Sequence, residues 1–271
     1  MIGAMKAGTT SLWQSLRRHP QVFMPDRKEI HFFSNPDRFA LGEGWYRSHF
    51  AAAGAALAIG EASTNYTKYP RRSGTPARIA ELIPAARLVY VVRDPIERIR
   101  SHYVHLVHGH GERRPLEEVV RDVPELIDLS RYSTQLDQYL PFFDQSQIHL
   151  VIAERLRRER AATLAQVFEF LGVDAALAPP PGGDAHRSDA KRVDTAFASR
   201  ARARRPYLVV RRAIPRPARR IARRLVTRPV AQVADTRISA DLREELVSTL
   251  APEVAGLRRF LGDDFDGWGM G

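Results

Sequence analysis

The sequence contains no cysteine, which excludes disulfide scaffolds, cysteine nucleophiles and thiolate metal sites. Lysine is almost as scarce, with Lys6, Lys28, Lys68 and Lys191 standing beside a great excess of arginine. Where arginine serves as well, such a composition supplies it, so the four lysines mark places where a compact ammonium is wanted; the arginine- and alanine-heavy usage also suggests a GC-rich bacterial genome. No apolar run approaches the ~18 residues of a membrane helix; the longest, Ala51–Ile59, is alanine-rich and broken by Gly54. Nothing at the N-terminus reads as a secretory signal. A soluble, cytoplasmic protein is the expectation. What is present suffices for a sizeable core: 271 residues, 44% hydrophobic, with 12 Phe, 8 Tyr and 3 Trp, which excludes disorder of the whole chain.

The net charge of +11 is unevenly spread. Between Arg187 and Arg228, 15 Lys/Arg stand against two acids (Asp189 and Asp194), while the remainder carries 27 basic and 29 acidic residues. One segment therefore holds the positive charge of the molecule.

Short apolar runs alternate with helical patterns, which predicts an α/β fold with a central parallel sheet flanked by helices. Ile2–Met5 reads as the tail of a strand, and Leu57–Gly60, Leu88–Val92 and Ile148–Ile152 as further strands. The first is brief because the numbering starts inside it, which leaves open whether Met1 is the natural start. Ser11–Arg18 and Pro95–His108 read as helices, as does Ala161–Leu171, which stops at Gly172, a C-cap. Ala178–Gly183 reads as a Pro/Gly linker, and Ser239–Leu261 carries Leu242, Leu246, Leu250, Val254 and Leu257 at helical spacing. The chain is expected to form one domain, 1–271, with a variable Arg-rich segment at about 187–228.

Gly3-Ala4-Met5-Lys6-Ala7-Gly8-Thr9-Thr10 follows the strand stub and opens a helix. A strand, a Gly-rich turn and a helix N-terminus together present free backbone N–H groups and the positive end of the helix dipole to an anion. The pattern matches a nucleotide phosphate loop except at its decisive position: Thr9 stands where that loop keeps its lysine, and the lysine comes earlier, at Lys6. The strand Leu88–Val92 ends in Arg93 rather than in a metal-binding Asp. This predicts a phosphate-like group neutralised by protein cations, without a metal; an ordinary turn between strand and helix is the plain alternative.

At Arg93-Asp94-Pro95-Ile96-Glu97, Asp94 is a natural N-cap, Pro95 suits the first helical position and Glu97 completes a capping box. Arg93 thus sits at the carboxyl edge of the sheet, where such folds bind ligands. Ser101 lies about two turns into the helix, so guanidinium and hydroxyl can together grip a phosphate monoester; a surface ion pair and an idle helix-face hydroxyl are the alternative. Arg98 and Arg100 read as solvated. His102, His105, His108 and His110 read as a solvated helix face rather than metal ligands. In Lys28-Glu29-Ile30-His31-Phe32-Phe33 an extended chain puts Glu29, His31 and Phe33 on one side and Ile30 and Phe32 on the other.

Lys6-Ala-Gly-Thr-Thr-Ser-Leu12 and Arg93-Asp-Pro-x-x-Arg-x-x-Ser101, separated by Lys28-Glu-Ile-His-Phe-Phe33, resemble the sulfotransferases that use 3′-phosphoadenosine 5′-phosphosulfate (PAPS), above all the carbohydrate and heparan-sulfate branch and its bacterial relatives. Trp45-Tyr-x-x-x-Phe50, Gly60-Glu-Ala-Ser63…Tyr66, Arg131-Tyr132…Leu136…Tyr139-Leu140 and Leu257-x-x-Phe-Leu-Gly262…Trp268 add to the likeness, which is weakest in the Arg-rich stretch. The resemblance implies a P-loop-like sulfotransferase domain with PAPS as co-substrate, no metal, and a hydroxyl-bearing acceptor such as a carbohydrate, glycolipid or small metabolite. It implies that Lys6, Ala7, Gly8, Thr9, Thr10 and Ser11 cradle the 5′-phosphosulfate and that Arg93 and Ser101 hold the 3′-phosphate. A late basic loop with His186, Arg187 and Lys191 would cover the donor. Glu29 would be the general base; His31 would orient it, contact the acceptor or act as base itself. Lys6 would neutralise charge on the bridging oxygen as the nucleotide leaves. Glu61, Ser63, Tyr66 and Tyr132 would either line the acceptor cleft or pack and cap the core. Some relatives carry a lysine after the glutamate matching Glu61; here that position is Ala62.

Arg200–Arg228 interleaves arginine pairs with Leu, Val, Ile and Ala. A variable solvated insertion whose apolar side packs on the core is the first reading; if the segment acts, docking on an anionic membrane surface near a glycolipid acceptor is the preferred role, with attraction of polyanionic acceptors or non-specific nucleic-acid binding as alternatives. No specific nucleic acid is expected. Rival readings of the whole chain are a P-loop kinase using ATP and Mg²⁺, or a basic nucleic-acid or membrane-binding module.

Overall fold

The computed structural model describes residues 1–178 and 235–270, together with the backbone of 192–194 and 227–229. Where the sequence reads as one domain, the chain divides into two compact units: Met1–Ile99, Val123–Ala185 and Ser239–Gly271 form the first, and Arg100–Asp122 with His186–Ile238 the second.

The first unit is built on parallel strands. β1 (Val22–Phe23) pairs with β2 (Ala58–Ile59), and β3 (Leu88–Val92) pairs in register with β4 (Ile148–Ile152). All five residues of β3 are buried, as a strand covered on both faces must be. The segment Ile2–Ala4 runs parallel along the other edge of β3: Ile2 N–H donates to Val89 O (2.9 Å), Val91 N–H to Gly3 O (2.8 Å) and Ala4 N–H to Val91 O (2.7 Å). Gly3 is required there, because a Cβ would stand 2.0 Å from Thr67 Oγ1 and 2.9 Å from the Tyr90 ring. The sequence thus locates the segment Ile2–Ala4, β2, β3 and β4 but not β1, and β1 and β2 form a separate short pair.

Helices cover the strands: α1 (Thr9–Arg17), α2 (Pro36–Phe39), α3 (Gly42–Ser48) and α4 (Thr75–Leu82) precede β3, and α5 (Pro95–His110) follows it. Next come α6 (Leu116–Asp122), α7 (Glu125–Asp128), α8 (Tyr132–Asp137), α9 (Ala153–Arg158) and α10 (Arg160–Leu171), and near the C-terminus α11 (Ala240–Ala255) and α12 (Arg258–Leu261). Their ends follow local chemistry. Asp94 Oδ1 accepts from the Ile96 and Glu97 amides (2.8 and 3.1 Å), starting α5, and α10 ends on Gly172 at φ 75°, the left-handed cap glycine takes without strain. The single helix expected over Ser239–Leu261 is two; Leu242, Leu246, Leu250, Val254 and Leu257 are all buried as expected, but the helix stops at Gly256, whose absent Cβ makes room for Ser133 Oγ.

Arg98 corrects the sequence reading most sharply. It is fully buried, not solvated. Its guanidinium donates to Ser130 Oγ (2.6 Å), to Leu126 O and to Met5 O (3.4 Å), so one cation ties the loop before α1 to the turn around α7. Burial pushes its pKa down, and hydrogen bonds to a charged donor are the ones strong enough to offset that desolvation.

In the second unit, the Arg100–His110 part of α5 and helix α6 bury Tyr103, Val104, Val107, Leu116, Val119 and Val120. A short antiparallel pair, β5 (Arg192–Asp194) and β6 (Thr227–Pro229), belongs to it as well. No helix among the described residues is long and apolar enough to cross a membrane.

Candidate active site

The loop Met5–Gly8 leaves the segment Ile2–Ala4 and enters α1 with Lys6 at φ 71° and Gly8 at φ 98°. Gly8 O accepts the Ser11 amide at 3.0 Å, so the helix begins at once and its first amides have no carbonyl of their own turn to bond. Thr9 is buried at the first helical position. Arg160, at the start of α10, donates to Ser11 Oγ. The loop is thus a candidate anion cradle, with the first amides of α1 and the Arg160 guanidinium at its rim.

Residues 28–33 depart from the extended strand that alternation implied. Glu29 and His31 both adopt left-handed backbone, with φ 66° and 57°, so the chain coils instead of alternating, and Ile30, Phe32 and Phe33 all turn into the core. Coiling brings the two polar side chains together: His31 Nδ1 lies 3.6 Å from Glu29 Oε2. The turn is held from every side. Glu29 N–H donates to Ala62 O (2.9 Å) and His31 N–H to Ser63 Oγ (2.9 Å). Arg38 donates to Glu29 O and Ile30 O, and Arg78 to Phe33 O (2.8 Å). The Glu29 carboxylate takes Thr64 N–H on Oε2 (2.8 Å) and the Lys28 ammonium on Oε1 (2.6 Å). Lys28 also donates to Thr9 Oγ1 at 3.2 Å, which joins this turn to the anion cradle. Burial pushes the His31 imidazole below its ordinary pKa, with the Glu29 carboxylate pulling the other way.

Glu61, Ser63, Tyr66 and Tyr132 are all buried. Ser63 and Tyr66 donate to the Glu61 carboxylate, whose pKa burial drives upward. Tyr132 OH donates to Arg93 O at 2.8 Å. These side chains support the turn and the strand end from inside; with Ser63 and Tyr132 fully buried, that burial favours the core-packing alternative over contact with an acceptor.

Arg93 leaves the carboxyl end of β3 and lays its guanidinium against the anion cradle, Nη1 donating to Lys6 O at 3.4 Å. Nη2 meets Glu97 (3.2 Å), and Nε lies 4.0 Å from Glu154 with no hydrogen-bond partner among the described residues. Arg93 borders an open cleft of about 640 Å³ with Glu154, Arg155, Arg157, Arg158 and Trp268. Trp268, at φ 54°, donates from Nε1 to Glu154 Oε2 (3.2 Å). Ser101 is a buried residue of the second unit. His186, Arg187 and Lys191, the linker beyond Ala178, and the Arg-rich segment apart from the backbone of its two short strands lie outside the described residues. His105 and His110 meet edge to face at 5.4 Å, and no three His, Asp or Glu side chains gather at metal-binding distance among the described residues.

Sequence reasoning missed Lys28, Thr64 and Glu154 as site residues. Lys28 was visible as one of four lysines placed beside Glu29, and Glu154 as an acid directly after a buried strand, at the edge where ligands bind.

Comparison with known proteins places the chain beside sulfotransferases. A profile of the Sulfotransferase family matches residues 46–176. Mouse bifunctional heparan sulfate N-deacetylase/N-sulfotransferase 4 is 29% identical over 195 residues, covering 64% of this chain and 22% of the relative. Mouse heparan sulfate glucosamine 3-O-sulfotransferase 5 is 28% identical over 185 residues, covering 64% of this chain and 52% of the relative. The match therefore spans between about a fifth and half of the length of these curated relatives. The crystal structure of a sulfotransferase from Alicyclobacillus acidocaldarius superposes with a TM-score of 0.71 at 25% identity, covering 99% of this chain and 97% of that one.

Proposed function

We propose, from the premise that this chain is a member of the sulfotransferase family, that it moves a sulfuryl group from PAPS to a hydroxyl of a carbohydrate, glycolipid or small metabolite. The observation that carries the reading is the Arg93 guanidinium seated against Lys6 of the first anion cradle. It supplies a second cationic grip beside the first, which suits a nucleotide with anionic groups at both its 5′ and 3′ positions.

The chain's residues divide the work. Lys6 and the first amides of α1 hold the phosphosulfate and take up the charge left on the bridging oxygen as its bond to sulfur breaks. The half-buried Arg93 fork, its Nε without a hydrogen-bond partner among the described residues, holds the 3′-phosphate. The acceptor oxygen forms the new bond to sulfur in line with the leaving phosphate oxygen and gives its proton to Glu29. Thr64 and Lys28 fix the carboxylate for that transfer, and His31, whose pKa burial lowers against the pull of Glu29, orients the incoming hydroxyl. We place this chemistry in the cytoplasm, with Arg200–Arg228 docking on anionic lipid.

Two measurements test the proposal. Without added metal, 3′-phosphoadenosine 5′-phosphate (PAP) should raise the melting temperature more than ATP with Mg²⁺ does; stabilisation by ATP–Mg²⁺ alone would turn the reading to a kinase. Labelled sulfate from PAPS should appear by mass spectrometry on members of an acceptor panel, and label on none of them, with no release of PAP, sinks the activity.

A further inference from the structure

Lys28 has no role in the scheme so far except to hold Glu29, yet its position says more. Its ammonium spans the gap between the two halves of the site, 3.2 Å from Thr9 Oγ1 on the donor side and 2.6 Å from Glu29 Oε1 on the acceptor side. The side chain is only 15% exposed, so the charge is fixed rather than waving in solvent. An ammonium has three N–H donors, and these two partners use two of them. Neighbouring position 62 offers no cation: it is a buried alanine whose carbonyl takes the Glu29 amide.

In an in-line displacement the sulfur travels between the leaving phosphate oxygen, held at the cradle, and the acceptor oxygen beside the base. A cation bonded to both sides flanks the three sulfuryl oxygens, where negative charge is concentrated as the group passes. We propose, resting on the sulfotransferase reading above, that Lys28 is a catalytic residue whose third N–H contacts the transferring sulfuryl group. The sulfur–oxygen bond to the phosphate breaks with its electron pair going to the phosphate, the acceptor oxygen bonds to sulfur, and the acceptor proton goes to Glu29. Lys28 exchanges no proton and contributes charge alone, the type of fixed electrostatic contribution whose removal costs about 10²–10³-fold in turnover.

The nucleotide product separates this role from a structural one, because PAP lacks the sulfuryl group. Lys28→Ala should bind PAP within about twofold of the wild type, bind PAPS more weakly, and hydrolyse PAPS or sulfate an acceptor about 10²–10³-fold more slowly. Lys28→Arg should recover part of the rate, and keeps the test open if the alanine variant fails to fold. The loss should persist when Lys28→Ala is added to Glu29→Gln. Equal loss of PAP affinity would show that Lys28 merely props the cradle. Disappearance of its effect in the Glu29→Gln background would show that it acts only through the base. Either result, or unchanged turnover, overturns the proposal. Wild-type chain that binds neither nucleotide overturns the sulfotransferase reading itself.

Discussion

Four non-glycine residues in the described chain have positive φ: Lys6, Glu29, His31 and Trp268. Left-handed backbone costs a side-chain-bearing residue about 1–3 kcal/mol, and it persists only where the surroundings enforce it. Three of the four are the residues that motif resemblance nominates for catalysis, and the fourth bonds Glu154 beside Arg93. An independent physical signal therefore falls on the same small set. The strain separates side-chain chemistry from backbone tolerance at His31, because asparagine accepts left-handed backbone better than most residues. His31→Asn should keep a melting temperature within a few degrees of the wild type while sulfuryl transfer drops by about 10²-fold, the scale of a misplaced reacting group. Full activity in this variant would remove His31 from the mechanism.

At the scale of elements, buried strands and capped helices were legible in the sequence, and turns were not. β3 is an unbroken apolar run and β4 is broken only by His149, and the observed limits of both match the expected ones because short, largely apolar runs suit strands covered on both faces. The Asp94 cap and the Gly172 stop were equally readable, since each is a local rule. The coil at 28–33 was hidden because its left-handed residues are Glu and His, not Gly, and most of the force that imposes it comes from Ala62, Ser63 and Arg78, remote in sequence, with Arg38 adding to it from the next helix. Arg98 was misread for the same reason: its acceptors at Met5, Leu126 and Ser130 are distant in sequence. β4 also carries a titratable element. His149 stacks on Phe170 of α10 with centroids 5.0 Å apart, and burial alone pushes its imidazole below the ordinary value of 6.5. The unfolded chain then takes up a proton more readily than the folded one, so this contribution to stability is complete above pH 6.5 and is lost as the pH falls below it. His149→Phe keeps the stacking and removes the titration. Urea unfolding at about pH 7.5 and about pH 5.5 should show a smaller loss on acidification in the variant than in the wild type; an identical loss would acquit His149.

For the whole molecule, the charge distribution sets a separate question from the chemistry. The +11 net charge arises almost wholly from Arg187–Arg228, the rest of the chain being close to neutral. A polybasic stretch of this kind gains about 1 kcal/mol per basic residue at an anionic lipid surface, and the gain fades within a Debye length. Replacing Arg211, Arg212, Arg219, Arg220, Arg223 and Arg224 with glutamine removes six of the 15 basic residues there. The full-length variant should lose most of its co-sedimentation with phosphatidylserine-containing vesicles at low salt, and wild-type binding should itself fall steeply as salt is raised. Neutral phosphatidylcholine vesicles should retain neither protein. The variant's thermal stabilisation by PAP should be unchanged, because Lys6 and Arg93 lie in the first unit, apart from these arginines in sequence. Equal recovery of the wild type on neutral and anionic vesicles would end the membrane proposal while leaving the sulfotransferase reading intact. A fall in PAP binding by the glutamine variant would instead move the Arg-rich segment into the donor site.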